Sequence, residues 1–224
     1  AMIEDMKEMI YGGGQYWQEN YDPQNALTIK DSHAELPAEF QKMIAKDKMT
    51  PVLLTTGSIY VNGNSQSIQI KGIPPQQDVV NLPTEKLETE TGYIPAVIGS
   101  RMADKVNLKE NDLATIRWRD KNGTFDATDI EVVHIMHTSV QAVDNSQIWI
   151  PIQRLRSMMA VNNHATFTII KRDIEPPMTA ASGWIFKPTD NLLEDVIKML
   201  ETKTSASSFM YIVLLAMGLL AIFD

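Results

Sequence analysis

The stretch Ile94–His137 reads IPAVIGSRMADKVNLKENDLATIRWRDKNGTFDATDIEVVHIMH, and its reading decides the fold class. Ile94–Ile98 has the pattern of a short strand and Ser100–Val106 that of a short helix. Leu113–Arg119 and Phe125–His137 alternate well enough to predict two long strands. Between them lies Asp120-Lys121-Asn122-Gly123, and Asn-Gly is a hairpin signal because both central residues of the favoured turn take positive φ. Asn122-Gly123-Thr124 also matches a glycosylation acceptor, but the turn explains the residues without it.

The same mixture continues on either side. Met2, Ile3, Met6, Met9 and Ile10 have helical spacing, and Gly12-Gly13-Gly14 ends that helix. No Lys-Ser/Thr pair follows the glycines, so a phosphate loop is not indicated. Tyr16–Ile29 predicts a short strand or two, broken at Asp22-Pro23. Leu36, Phe40, Met43 and Ile44 form one helical stripe, with Asp31 and Ser32 as candidate caps and Pro37 in the first turn. Val52–Val61 and Ser67–Gly72 flank Asn62-Gly63-Asn64 and predict a β-hairpin. Ile73–Thr91 is polar, proline-bearing and irregular. Ile148–Ile150 is a short strand running into Pro151, which opens a helix through Met159. Thr166–Lys171 is a strand and Glu175–Ser182 a linker. Leu193, Val196, Ile197 and Leu200 mark an amphipathic helix capped by Thr189 or Asp190. Strands and helices alternate without a βαβ rhythm, so the class is α+β.

Composition narrows the functions. The 224 residues suffice for one or two domains, and 44% hydrophobic with 21% charged residues is ordinary for a globular chain. A net charge of −8 argues against nucleic acid as a partner, since such binding needs a basic surface. With no cysteine there is no disulfide, thiolate metal site or cysteine nucleophile. His134 and His137 have an HxxH spacing, but residues three apart on a strand face opposite ways and cannot share an ion. No GxSxG, SxxK or HExxH motif occurs, and no carboxylate sits beside a histidine in a way that implies acid–base work. No catalytic, cofactor-binding or metal-binding residue is nominated. Arg154 and Arg156, in the helix after Pro151, are a candidate partner surface.

Phe209–Phe223, FMYIVLLAMGLLAIF, carries no charge. As a helix it spans about 22 Å, short of the roughly 30 Å hydrocarbon core. It is either a buried terminal helix or the start of a transmembrane helix. Helices packed on a globular core keep a polar face, and this one is apolar all round, which favours the membrane. Phe209, Tyr211, Leu214, Leu215, Leu219 and Phe223 would then face lipid or its interface, and Asp224 would lie deep.

Ile98-Gly99-Ser100-Arg101-Met102-Ala103-Asp104-Lys105-Val106-Asn107-Leu108-Lys109-Glu110-Asn111-Asp112 resembles the "IGxxLAxxLgvkxGD" stretch of MacB/LolC/LolE/FtsX-type permeases of ABC transporters, in their periplasmic core domain. Val132–Thr138 resembles the strand motif "VvGIxxTG", Asp144 the aspartate after it, and Gln147–Leu155 the strand–helix "vyIPLxxaqxLl". Ile68–Ile73 resembles "vxvxGidP". The order holds over the last two-thirds of the chain. Asn111 stands where glycine is usual, and His134 replaces the glycine of the strand motif.

The resemblance implies a two-subdomain periplasmic core domain. Residues 1–92 and 161–208 would form a membrane-proximal α/β subdomain with stalk helices, 93–160 an inserted mainly-β subdomain, and 209–224 the start of a transmembrane helix. It implies an inner-membrane permease, dimeric with a second copy or paralogue, with this domain in the periplasm. A cytoplasmic ABC ATPase subunit would hold the ATP and Mg, and this domain would hold no cofactor. The partner outside the membrane would be a periplasmic protein or lipoprotein, and the output lipoprotein release or substrate efflux. The helices at 2–11 and 190–208 would be levers, with Leu193, Val196, Ile197 and Leu200 on the coupling helix. Two alternatives stand beside it: a membrane-anchored binding module without an ATPase, and a secreted hydrolase.

Overall fold

Strand β3 (Met49–Val61), 13 residues long, is shared by both halves of the molecule. The computed structural model describes residues 2–194 apart from 26–27, 121, 139, 141–143, 145 and 178–179. Val196, Ile197, Leu200 and the apolar run with Phe209, Tyr211, Leu214, Leu215, Leu219 and Phe223 lie outside the described residues. Among the described residues no helix is long and apolar enough to cross a membrane.

β3 turns through Asn62 (φ 48°) and Gly63 (φ 80°) into β4 (Asn64–Ile73). Two successive positive φ values match the twist of the hairpin, as the Asn-Gly pair predicts. Next to β4 runs β8 (Gln147–Pro151), parallel, and then β5 (Ile94–Gly99), antiparallel to β8. β7 (Phe125–Met136) is parallel to β5, and β6 (Leu113–Arg119) is antiparallel to β7. β6 returns to β3 through Gly57↔Trp118 to Tyr60↔Thr115. Six strands thereby close into a barrel with no free edge.

The opening residues of β3 go elsewhere. Met49–Val52 pair with β10 (Phe167–Ile170) on the edge that β6 uses further along. An open sheet continues from β10 through β1 (Gln15–Gln18) and β12 (Trp184–Lys187) to β11 (Ala180–Ala181). Gly57 sits where the barrel closes. A Cβ there would lie 2.5 Å from the Arg117 carbonyl oxygen, so the closure requires glycine.

Three apolar clusters follow from this path. Leu53, Ile59, Ile70, Ile98, Ile116 and Ile148 fill the barrel, with Met102 and Leu155 from helices Ser100–Val106 and Ile152–Met158. Val52, Leu54, Val97 and Trp149 face outward and are covered by Met6, Tyr11, Val79, Leu82 and Leu193. Tyr16, Phe40 and Trp184 pack in a third cluster beyond the open sheet, with ring centroids 4.7 Å and 5.5 Å apart. Alternation along β3 explains the division, because Leu53 enters the barrel while Val52 and Leu54 face away from it.

Among the described residues of Tyr16–Ile29 one short strand forms, within the one or two expected, and a 3-10 turn Ile29–Asp31 follows. Several expectations need correction. Strand β2 (Ala34–Glu35), paired with β9 (His164–Ala165), separates Asp31 and Ser32 from the helix Ala38–Ile44, so Pro37 is the N-cap. Among the described residues of the 120–124 turn, Gly123 alone has positive φ, at 81°. The Asp120 carboxylate accepts from the Asn122 and Thr124 amides, at 2.9 and 2.8 Å, and so does the work expected of the asparagine backbone. The segment 93–160 does not form a sheet of its own. Its four barrel strands would leave open edges, and β3 and β4 from 49–73 close them.

Candidate functional site

The first and last described helices meet at one joint. The first helix runs as an α-helix over Met2–Met6 and widens to a π-helix over Lys7–Tyr11. Gly12 ends it with φ 55°, its amide donating to the Lys7 carbonyl at 2.8 Å. The glycines that follow let backbone meet backbone. A Cβ on Gly13 would lie 2.8 Å from the Lys171 carbonyl oxygen, and one on Gly14 would lie 2.8 Å from the Phe186 ring. At the other end of the chain a helix begins at 189, and the Thr189 hydroxyl donates to the Gly12 carbonyl at 3.2 Å. Leu192 and Leu193 are buried in the same cluster as Met6 and Tyr11. Leu193, from the expected coupling stripe, is thus a docking residue of that helix.

The first helix is also tied sideways. The Asn81 amide donates to the Glu8 carbonyl at 2.8 Å, and the Thr138 hydroxyl lies 3.1 Å from the Met9 sulfur. Arg172 reaches Glu4 at 2.7 Å and Glu8 at 3.6 Å; these pairs are solvent-exposed and add little stability. The first helix is thereby bonded to Thr138 beyond the barrel strand β7 and, through the Gly13 amide donating to the Ile170 carbonyl, to the open sheet.

Of the segments that carried the resemblance, Ile98–Asp112, Val132–Thr138 and Asp144 are tied together. Gly99 ends β5, and the Asp144 carboxylate lies against it. Asp144 Oδ1 accepts from the Arg101 amide at 2.9 Å, and Oδ2 is 3.5 Å from Arg101 Nε. The aspartate thus caps a helix from 43 residues away, where Gly99 has no side chain to do so. Asn111 has φ 71°, the left-handed backbone for which glycine is usual and asparagine is the tolerated substitute. His134 uses its ring instead, with Nδ1 2.9 Å from Glu110 Oε1. The Ile135 amide donates to the same oxygen, and these two contacts hold the Glu110 carboxyl below its ordinary pKa, the amide contributing more.

The two expected surface arginines separate. Arg154 is exposed. Arg156 is only 8% exposed, which corrects its place on a partner surface. Its Nε donates to the His164 carbonyl at 3.0 Å and secures β9, while Nη2 is buried without a partner. Burial lowers the Arg156 pKa. Next to it the Nδ1 atoms of His33 and His164 are 2.8 Å apart, so one ring must be neutral there and accept from the other.

Lys71 was not singled out by sequence. It stands on the outward face of β4 with its ammonium 4.9 Å from the Trp149 ring centroid, and burial lowers its pKa to about 8. Alternation on β4 places it on that face, but the apolar cover comes from distant segments. Among the described residues no three His, Asp or Glu side chains converge as a metal site would need.

No protein-family profile and no curated protein matches the chain. Among solved structures, it is similar to the periplasmic region of MacB from Actinobacillus actinomycetemcomitans, with TM-score 0.54 and 8% identity over 87% of this chain and 97% of that one. The extracellular domain of the noncanonic ABC-type transporter YknZ from Gram-positive bacteria aligns with TM-score 0.45 and 13% identity, over 83% of this chain and 94% of that one. At such identities the likeness is one of fold: this chain has the α+β fold of the MacB periplasmic region.

Proposed function

We propose that this chain is the extracytoplasmic domain of an ABC-transporter permease subunit. On this reading it does no chemistry itself. It converts the opening and closing of a separate cytoplasmic ATPase into work outside the inner membrane, releasing a lipoprotein or expelling a substrate. The observation that carries the reading is the joint, where the Thr189 hydroxyl meets the Gly12 carbonyl and both terminal helices share one apolar cluster. Two helices that leave a domain side by side can move it as one body. The fold likeness to the MacB periplasmic region supports the same reading. The permease would act as a dimer, with the run from Phe209 to Phe223 entering the membrane.

The test is membrane fractionation of the full-length gene product, then affinity purification in detergent. An ATPase subunit that co-purifies is the expected result. A membrane protein without one puts an anchored binding module first, and a soluble protein without one overturns the permease reading altogether.

A further inference from the structure

An open groove of about 840 Å3 lies on the outer face of the barrel, and none of the joint residues lines it. The register sets Ser58 opposite both Arg117 and Ser67, and Tyr60 opposite Thr115 and Ser65. Outward side chains of β4, β3 and β6 therefore share one concave face. Arg117 and Arg119, two apart on β6, both project from it. Their guanidinium carbons lie 4.1 and 4.3 Å from the centroid of the Phe125 ring, which stands between them. Phe125 is 52% exposed and Tyr60 39%. Arg117 and, less strongly, Ser65 lie close enough to the Tyr60 phenol to lower its pKa.

Among the described residues neither arginine makes an ion pair. The nearest carboxylate along the β7 side of that face, Asp129, accepts from the Thr115 hydroxyl at 2.6 Å. Two like charges are thus held together by an aromatic ring instead of a counter-ion, in a chain whose net charge is −8. The net negative charge of the rest of the chain repels an anionic partner and focuses it on this cationic groove. Guanidinium forks bind carboxylates in two-pronged fashion, and the serines and Gln69 of the floor offer hydrogen bonds to an extended backbone. A flat bilayer does not enter a concave face of this kind.

We propose that this groove binds an extended acidic segment of a periplasmic partner protein, with Arg117 and Arg119 as its carboxylate receptors and Phe125 and Tyr60 as its apolar walls. The inference deepens the reading above and rests on it only for the partner's being periplasmic. The probe is a dye-labelled Glu/Asp-rich decapeptide, set against its Gln/Asn analogue, with anisotropy measured on the 224-residue chain in detergent. The acidic peptide is expected to bind saturably and to weaken from about 50 to about 300 mM salt. The double variant Arg117→Ala/Arg119→Ala, checked for folding by circular dichroism, is expected to lose at least about tenfold in affinity, and Lys42→Ala, an exposed cation outside the groove, to lose nothing. If the double variant does not fold, the single reversal Arg119→Glu takes its place. Equal binding of the neutral peptide, no saturable binding, an equal loss in Lys42→Ala, or arginine-dependent capture by phosphatidylglycerol vesicles in place of the peptide would overturn the proposal. ATPase co-purification is read separately. A failed peptide assay with the ATPase still bound removes the groove alone, and the reverse result removes the permease reading alone.

Discussion

Replacing Gly99 by alanine tests whether the clamp between β5 and Asp144 is what orders the barrel's first helix. The added Cβ would lie 2.5 Å from the Asp144 Cα and 2.8 Å from its carbonyl oxygen, so the aspartate backbone must retreat. The Gly99 backbone, at φ −81° and ψ 156°, accepts any residue, which leaves steric displacement as the only cause. Retreat breaks the 2.9 Å bond from the Arg101 amide to Oδ1, a helix cap worth about 1–2 kcal/mol. Forcing a methyl group into packed backbone adds about 1–3 kcal/mol. The sum, about 2–5 kcal/mol, corresponds to a fall of roughly 5–15 °C in Tm for a domain of this size. Urea unfolding followed by tryptophan fluorescence, with thermal melts alongside, measures it. Gly92→Ala is the control, because a Cβ there meets nothing within 4 Å; it should stay within about 0.5 kcal/mol of the parent. A Gly99→Ala protein as stable as Gly92→Ala would refute the clamp.

Lys71 predicts an alkaline gain in stability. Its folded pKa of about 8 lies below the unfolded value, so the unfolded chain binds more protons between the two and stability rises with pH there. From about pH 7.5 to about 9.5 the gain is at most about 2 kcal/mol and should vanish in Lys71→Met. Tyr21, whose pKa burial raises, acts in the opposite sense only above its ordinary value and stays out of that window. Arg156→Met should cost no more than about 1 kcal/mol, since it removes a desolvated charge, while Arg156→Ala should cost about 2–3 kcal/mol by leaving a cavity; equal losses in the two would contradict this account. Thr189→Val removes the donor to the Gly12 carbonyl at about 1 kcal/mol of stability. In a reconstituted transporter it should lower periplasmic output per ATP hydrolysed without stopping hydrolysis, and an unchanged ratio counts against the joint as the coupling point.

Most local elements were legible because their signals are local. The helix Ser100–Val106 and the strand Leu113–Arg119 end where the spacing says, and Asn62-Gly63 makes the turn its residues prescribe. Barrel closure was not legible, since the Gly57↔Trp118 pairing joins residues far apart in sequence. The one available trace was a glycine in mid-strand, which signals close backbone approach without naming the partner. Of the candidate site, the helix stop at Gly12 was readable, but Thr189 as its acceptor's donor was not. Arg156 misled because an arginine in an amphipathic pattern is exposed by default, and only the tertiary position of His164 draws it inward. Arg117 and Arg119 passed unremarked because their meaning comes from Phe125 across the hairpin.

The double duty of β3 has a mechanical consequence. Its first residues are bonded to β10 and its later ones to β6, with β4 along the opposite edge. Swinging the barrel against the open sheet would have to tear one of those ladders, so a hinge has nowhere to sit. What the strand does permit is twist about its own length, between Val52 and Gly57, where neither ladder runs along that edge and it is held by the Leu54 amide donating to the Thr166 hydroxyl at 3.0 Å. Under the proposed coupling, load arriving at the Gly12 joint would then pass up the molecule as torque along a single shaft, and the barrel would answer by turning.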